Sequence, residues 1–232
     1  MLRLHKAVTL LTRGSRPLLR TPQFSFSKGL KQAEKQLIQS LNTEINYEEE
    51  DQNQENIEFE EKFLANHNWE LLVSEDSTRL ELKKQVDRTT VRVVYAAKLP
   101  EENPEVEGEN QEEAEQNEPN FTEFQVIVDN HNNANKLIVD VASYNGEINI
   151  NGAFITSEVD TFLANRSAMF TTEKYTGPMF ESLDEKLQDT MANYLKNLGI
   201  DEDLAVFVES SAANHEDKLY KKWLKELKEF LH

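Results

Sequence analysis

The sequence predicts an α+β protein in which helices gather against one antiparallel sheet. Apolar residues recur every three or four positions near both ends of the chain, which is typical of amphipathic helices. Through the middle of the chain they alternate every second position, in segments separated by short polar turns, which favours an antiparallel meander. We therefore expect about seven strands, flanked by one N-terminal helix and two main C-terminal helices.

The N-terminal segment is basic and amphipathic. The first 33 residues hold seven Lys and Arg and no acid, a composition typical of a mitochondrial transit peptide. Arg13 and Arg16 interrupt the apolar run that a secretory signal would need. We assign residues 1–27 to a transit peptide and residues 28–232 to a single acidic domain, with a basic tail that stays attached as the alternative. Removal of residues 1–27 would change the formal charge from −18 to −23.

The first segment after this leader is predicted to be helical. Leu37, Leu41 and Ile45 continue a stripe that begins at Leu30, and no Pro or Gly interrupts residues 31–47. A polar run at residues 48–55 then reads either as a solvated helix end or as a linker. A short apolar period follows before the strands begin.

The strands are predicted from alternation and from β-branched residues. The seven segments are residues 69–73, 79–83, 89–95, 121–128, 136–142, 147–150 and 153–155. Residues 160–175 have weak periodicity and are predicted to form a loop with one helical turn.

A strongly acidic segment separates the third and fourth predicted strands. Residues 100–120 contain three prolines, no Lys or Arg, and nine glutamates, so the segment repels itself and is predicted to be a disordered loop. We expect it to bind basic partners. Its glutamates are Glu101, Glu102, Glu105, Glu107, Glu109, Glu112, Glu113, Glu115 and Glu118.

The C-terminal region returns to helical periodicity. One stripe runs from Leu183 to Leu198, with Gly199 where a glycine commonly ends a helix. A short segment at residues 202–210 is expected next, and the last helix is expected from about Ala213. Both terminal helices carry apolar stripes, so they pair with each other, with the sheet, or across subunits. The residues predicted for this packing, between helices or across subunits, are Leu37, Leu41, Ile45, Tyr220, Trp223, Leu227 and Phe230.

The sequence predicts no catalytic residues, no metal ligands and no cofactor. It contains no cysteine, and its five histidines are scattered without a metal-ligand spacing. It has no glycine-rich motif of the kind that binds phosphate. His67 and His131 flank predicted strands and are expected in turns. A charge of −18 argues against a mainly electrostatic nucleic-acid binder and favours cationic partners.

Residues 177–200, GPMFESLDEKLQDTMANYLKNLGI, resemble the C-terminal signature of the mitochondrial glycoprotein family. Supporting similarities are the string LNTEINYE at residues 41–48, the strand opening at Trp69, and the ending YKKWL with later Leu227 and Phe230. The resemblance covers about residues 30–232. The family includes acidic mitochondrial matrix proteins, among them the complement- and hyaluronan-binding protein of animals.

The resemblance implies a twisted seven-stranded sheet and a doughnut-shaped homotrimer in which the first and last helices pack together. It also implies a non-enzymatic, multi-ligand acidic adaptor or chaperone of the mitochondrial matrix. Such a protein binds basic ribosomal or RNA-binding proteins and supports mitochondrial ribosome assembly, translation and oxidative phosphorylation. No stable membrane insertion is expected.

The alternative function is a direct RNA-binding accessory factor of mitochondrial RNA processing. Basic clusters at Arg79/Lys83/Lys84 and at Lys221/Lys222/Lys225/Lys228 motivate it. These lysines also fit a solvated helix face, and RNA contact would then be indirect, through basic partners.

Overall fold

The computed structural model describes residues 26–50, 54–97, 122–164 and 175–231. In chain order the helices and strands are α1 (Phe26–Glu50), α2 (Gln54–His67), β1 (Glu70–Val73), β2 (Arg79–Val86), β3 (Thr89–Ala96), β4 (Thr122–Asp129), β5 (Lys136–Tyr144), β6 (Glu147–Thr156), α3 (Val159–Ala164), a 3₁₀ turn (Phe180–Ser182), α4 (Glu185–Asn197) and α5 (Glu202–Phe230).

The sheet is an antiparallel meander in which each strand pairs with the next, in the order β1-β2-β3-β4-β5-β6. This confirms the predicted α+β class. The described residues form six strands rather than about seven, because residues 147–150 and 153–155 belong to one strand. Ile150 pairs with Val141 and Gly152 pairs with Asp140, which leaves Asn151 as the extra residue of a β-bulge. The bulge breaks the period of two, so one strand reads as two in the sequence.

The main core lies on one face of the sheet. Strands β2 to β5 point fully buried branched side chains such as Leu82, Val93 and Val139 toward α2, α4 and α5. Phe207 of α5 stacks on Phe63 of α2, with ring centroids 4.5 Å apart. Helices on the core face therefore hold the sheet from one side, as the alternating pattern predicts.

The opposite face is covered more lightly. Its apolar cluster contains Val94, Ile127 and Ile138, and α3 lies over it with Phe162 edge-on against Phe154 at 4.6 Å. Helix α3 is the single helical turn predicted after residue 160. Polar side chains such as Glu81, Arg92 and Gln125 also lie on this face.

The C-terminal helices are bounded by recognisable caps. The Asp184 carboxylate accepts from the Leu187 amide at 3.3 Å, at the start of α4. At its end Gly199 has φ +88°, and Ile200 N donates to Leu195 O at 3.0 Å, which is a Schellman motif. The predicted role of Gly199 as a helix terminator is confirmed.

Helix α5 is one continuous helix of 29 residues, so the predicted break between residues 202–210 and Ala213 is wrong. Ser211 and Ala212 interrupt the large apolar residues in the sequence, but both are buried. The Ser211 Oγ lies 2.8 Å from the Tyr95 hydroxyl of β3. Small side chains here let α5 approach the sheet closely, which is a packing requirement that periodicity does not reveal.

An ion pair joins β2 to β3 on the lightly covered face. Arg92 donates to Glu81 through Nε (2.6 Å to Oε1) and through Nη2 (2.8 Å to Oε2), and both side chains are mostly buried. This two-point hydrogen bond holds the pKa of Glu81 below its ordinary value of 4.5. Because the pKa is lowered on folding, the pair stabilises the fold fully at pH values above the ordinary pKa. This contribution is lost as the pH falls through the pKa of the folded state.

Glu81→Gln should lower the free energy of unfolding by about 1–2 kcal/mol at pH 7, because a charged hydrogen-bonded partner of Arg92 is removed. The deficit should begin to shrink below about pH 4.5, where the carboxyl of the unfolded chain takes up a proton, and it should disappear as the pH falls through the lowered pKa of folded Glu81. Urea denaturation from pH 7 to pH 3 measures both effects. Glu70→Gln, at an exposed position of β1, is the control. A deficit that does not change with pH would contradict the assignment.

Candidate binding surface

The first and last helices pack against each other along what we call the terminal-helix seam. Leu41 and Ile45 of α1 and Leu224 of α5 are buried at its centre, and they form a cluster separate from the sheet core. The seam therefore holds α1 to α5 by a small apolar patch, so polar contacts contribute a large share of its specificity. Partly buried side chains at its margin are Tyr220, Leu227 and Leu231.

Ion pairs flank the apolar centre of the seam. Lys225 Nζ lies 2.9 Å from Glu49 Oε1, and Lys221 Nζ lies 3.9 Å from Glu48 Oε2. The hydrogen bond from Lys225 lowers the pKa of Glu49. The Tyr220 hydroxyl donates to Glu44 at 3.1 Å, and this bond raises the pKa of Tyr220. The acidic edge of α1 is thus matched to the basic edge of α5.

A further lysine of α5 contacts the turn between β1 and β2. Lys222 donates to the Asp76 carboxylate, and this hydrogen bond raises the pKa of Lys222. Together with the pairs at Lys221 and Lys225, it means that three of the four lysines in the predicted C-terminal basic cluster contact carboxylates of the same chain. An RNA phosphate would have to displace those carboxylates.

The other predicted basic cluster is also dispersed. Arg79 contacts Glu81 at 3.3 Å, and the Lys84 ammonium lies 5.3 Å from the centroid of the Trp69 ring. Lys83 is exposed on β2. These cations do not form one open phosphate-binding surface, so the geometry gives the direct RNA-binding alternative no support.

The structure places the predicted seam residues in two groups. Leu41, Ile45, Tyr220 and Leu227 lie in or beside the buried centre of the seam. A second group faces outward within the described chain, comprising Leu37 (43% exposed), Trp223 (54%) and Phe230 (84%). Stripes on both helices are therefore wider than the contact between them.

Some predicted segments lie outside the described residues. These are residues 1–25 of the predicted transit peptide, all nine glutamates of residues 100–120, and residues 165–174 of the loop predicted at residues 160–175. The last described residue before the acidic segment is Ala97, whose amide donates to the Thr78 carbonyl at 2.7 Å. The chain therefore enters that segment beside the β1–β2 turn, and it returns at Thr122, the start of β4.

One arrangement has the outline of a catalytic relay. His131 Nε2 lies 2.8 Å from Thr90 Oγ1, and His131 Nδ1 lies 3.5 Å from Asp129 Oδ1. The Gln85 side-chain amide nitrogen donates to Asp87 O at 3.0 Å, which fixes the orientation of that amide. Gln85 Oε1 therefore faces Thr90 Oγ1 at 2.8 Å and accepts its proton. His131 then donates to Thr90 rather than activating it. It lies in the β4–β5 turn with φ +56°, which confirms its predicted turn position, whereas His67 is the last residue of α2, so its predicted turn position is wrong.

Metal-binding geometry is likewise lacking in the described part of the chain, which holds no cluster of three or more His, Asp or Glu side chains able to ligate an ion. None of the helices in the described ranges combines the length and the apolar character needed to cross a bilayer.

A concave site not predicted from the sequence lies beside α4. We call it the β6–α4 groove, a cavity of about 420 Å³ between the start of β6, the C-terminal half of α4 and the α4–α5 turn. Apolar side chains and polar side chains both line it. They are Glu147, Ile148, Asn149, Ile150, Ala192, Leu195, Lys196, Ile200, Asp201 and Glu202.

Two glycines set the shape of the groove. Gly199 ends α4 in the left-handed conformation and turns the chain into α5. Gly146, with φ +80°, lies in the β5–β6 turn, where a Cβ would come within 2.9 Å of Val206 Cγ2. Its amide donates to Glu209 Oε1 at 3.3 Å. Both turns were visible in the sequence, but their adjacency depends on how α5 packs.

These features define an acidic α+β protein with a terminal-helix seam, a β6–α4 groove and, among its described residues, no recognisable catalytic centre. The chain belongs to the mitochondrial glycoprotein family, whose model matches residues 41–231. The mitochondrial acidic protein mam33 of Schizosaccharomyces pombe is 25% identical over 215 residues, covering 84% of this chain and 77% of the relative. This chain is therefore a mitochondrial acidic protein of that family, as its sequence motifs predict.

Solved structures agree on the fold. A Leishmania major protein of unknown function, described as a sequence homologue of human p32, matches with a TM-score of 0.64 and 18% identity. The p22 protein of Trypanosoma brucei matches with a TM-score of 0.63 and 18% identity. In each case the match covers 86% of this chain and 99% of the solved one. At this identity the likeness establishes the fold alone.

Leu224→Ala should release α1 without unfolding the sheet, because Leu224 contributes to the small separate cluster of the seam. We expect the docking of α1 to weaken by about 2–4 kcal/mol. Hydrogen exchange should show faster exchange in α1 and unchanged protection in β3 to β5. Tyr47→Ala, at an exposed position of α1, is the control and should leave the α1 amides protected. Equal loss of protection in the sheet would contradict separate docking.

Proposed function

We propose that this protein is a non-enzymatic acidic adaptor or chaperone of the mitochondrial matrix that binds basic proteins. The observation that carries the proposal is charge segregation: nine glutamates are concentrated in residues 100–120, a segment without Lys or Arg. A concentrated field of one sign attracts cationic partners and accelerates their association by roughly 10–10³-fold.

The internal ion pairs support this function. Lys221, Lys222 and Lys225 contact Glu48, Asp76 and Glu49. These lysines are therefore occupied within the chain and do not present a cationic surface that would repel basic ligands. Neighbouring Arg79 and Arg92 are likewise engaged by Glu81. Each pair also neutralises one carboxylate, so the net charge is unchanged, and it stays strongly negative because acids outnumber Lys and Arg by 43 to 25.

We infer the matrix location from the leader. Residues 1–27 act as the transit peptide, and residues 28–232 form the mature domain with a formal charge of −23. Basic ribosomal and RNA-binding proteins are the partners that such a protein would meet there. By binding them it supports mitochondrial ribosome assembly, translation and oxidative phosphorylation, and its contact with RNA is indirect.

The working form that we propose is a doughnut-shaped homotrimer. Trp223, Phe230 and Leu37 expose large apolar side chains on the two helices of the terminal-helix seam, and an interface between copies would remove them from water. Three mature chains would carry about −69 in one assembly. A ring would concentrate that field on the surfaces that face the ligand.

Replacement of all nine glutamates at residues 100–120 by glutamine should weaken binding of basic mitochondrial proteins about tenfold at low salt, since it removes charge while keeping chain length. Pull-downs from mitochondrial extract at rising salt measure this. Recovery with the parent protein should fall steeply with salt, and recovery with the glutamine variant should start lower and fall less.

The matched control replaces other polar residues of the same segment, Asn103, Asn110, Gln111, Gln116 and Asn117, by serine, which leaves its charge unchanged. If the recovery of basic partners changed neither with salt nor with replacement of the nine glutamates, the adaptor proposal would be overturned.

Trp223→Ser combined with Phe230→Ser should shift the mature protein from trimer toward monomer, because the exposed apolar contacts between copies are lost. Analytical sedimentation at several concentrations measures the mass. Tyr175→Ser, a change at another exposed aromatic residue, should leave the trimer intact. A parent protein that sediments as a monomer at micromolar concentration would contradict the proposed assembly.

A further inference from the structure

We propose that the β6–α4 groove holds a short amphipathic segment of a basic protein, with an apolar side chain in the groove and flanking Arg or Lys side chains at its rim. This inference rests on the proposed function and assigns it a place on the folded domain. The acidic segment at residues 100–120 attracts partners without shape matching, whereas the groove contacts them in a fixed geometry.

The floor of the groove is apolar and belongs to the main core. Ile148 and Ile150 of β6 face Leu195 and Ile200 at the end of α4, and the two strand residues are only partly buried. An apolar side chain of a ligand would remove this surface from water. The volume of about 420 Å³ lies at the lower end of the roughly 300–1,000 Å³ typical of ligand pockets, so it suits a few side chains rather than a folded partner.

The rim selects cations. Glu147, Asp201 and Glu202 line the groove against one cation, Lys196. The start of α5 also lies here, and its helix dipole contributes about half a positive charge. Three carboxylates exceed the sum of Lys196 and that dipole, so the rim stays negative. Long Arg and Lys side chains fit this arrangement because their methylene stems cover apolar surface while their charged heads reach the rim.

The groove is held rigidly, which favours affinity because little ordering is needed on binding. The Schellman motif at Gly199 and the Asp201 cap, whose Oδ1 accepts from Leu204 N at 3.0 Å, hold the α4–α5 turn. The hydrogen bond from Gly146 to Glu209 holds the opposite turn against α5. Glu147, at the start of β6, and Glu202, at the start of α5, therefore each follow a turn that hydrogen bonds hold in place.

The test measures binding of a fluorescent peptide that alternates Leu and Arg to the full mature protein, by fluorescence anisotropy at several salt concentrations. Ala192→Trp fills the groove from an exposed position of α4. Thr190→Trp is its control, because two residues turn a helix by about 200° and place the indole on the other side. We expect Ala192→Trp to weaken binding about tenfold and Thr190→Trp to leave it unchanged.

The charges of the rim are tested separately. Glu147→Gln with Glu202→Gln should weaken binding of the same peptide about fivefold, while Glu61→Gln with Glu70→Gln removes two exposed carboxylates outside the groove and should have a smaller effect. A second peptide in which Gln replaces every Arg should bind the parent protein weakly, and it should bind the Glu147→Gln/Glu202→Gln variant with the same affinity.

Two results separate the groove from the general function. If the parent protein binds the Leu–Arg peptide in a salt-dependent way and the groove variants match their controls, the groove assignment is wrong and the adaptor function stands. If the parent protein does not bind the peptide at any salt concentration, the adaptor function fails and the groove assignment fails with it. If Ala192→Trp changes the sedimenting mass instead of the peptide affinity, the groove is an interface between copies and the proposal is overturned.

Discussion

Packing of α5 along the core face of the sheet is the interaction on which the rest of the structure depends. Leu204, Phe207 and Val208 of this helix are fully buried against strand residues and α2. Further along, His215 Nε2 donates to the Ser77 carbonyl of the β1–β2 turn at 2.7 Å. The same helix then extends past the sheet and supports α1. One helix therefore determines the position of the sheet, the seam and the groove.

The charge of the protein has a structural as well as a functional role. Cations of α5 are paired with carboxylates of α1 and of the β1–β2 turn, so they stabilise the contact between distant parts of the chain. Exposed ion pairs contribute little individually, about 0–1 kcal/mol, and they are screened by salt. The apolar centre of the seam must then supply most of the docking energy. Salt that weakens partner binding should leave the fold largely unaffected.

Individual elements show how much of the fold and of the binding surface can be predicted from the sequence. The antiparallel order of strands and the end of α4 at Gly199 followed from local patterns. The β-bulge at Asn151 and the continuity of α5 through Ser211 did not, because each reflects contact with a neighbouring element. Basic residues near the C-terminus were predicted to form an RNA-binding cluster or a solvated helix face, because their role as internal ion-pair partners depends on carboxylates elsewhere in the chain.

By itself the sequence determined the fold class, the family, the separation of charge along the chain and the alternation of core-facing residues along the strands. Periodicity, turn residues and composition are local properties, and a single chain displays them directly. Only the tertiary structure decided which lysines are occupied, which seam residues remain exposed, and that two turns form a groove. Those features join residues far apart in the chain, such as Tyr220 and Glu44, which are separated by 176 positions. Their contact is created by the packing of α5, and no local pattern contains it.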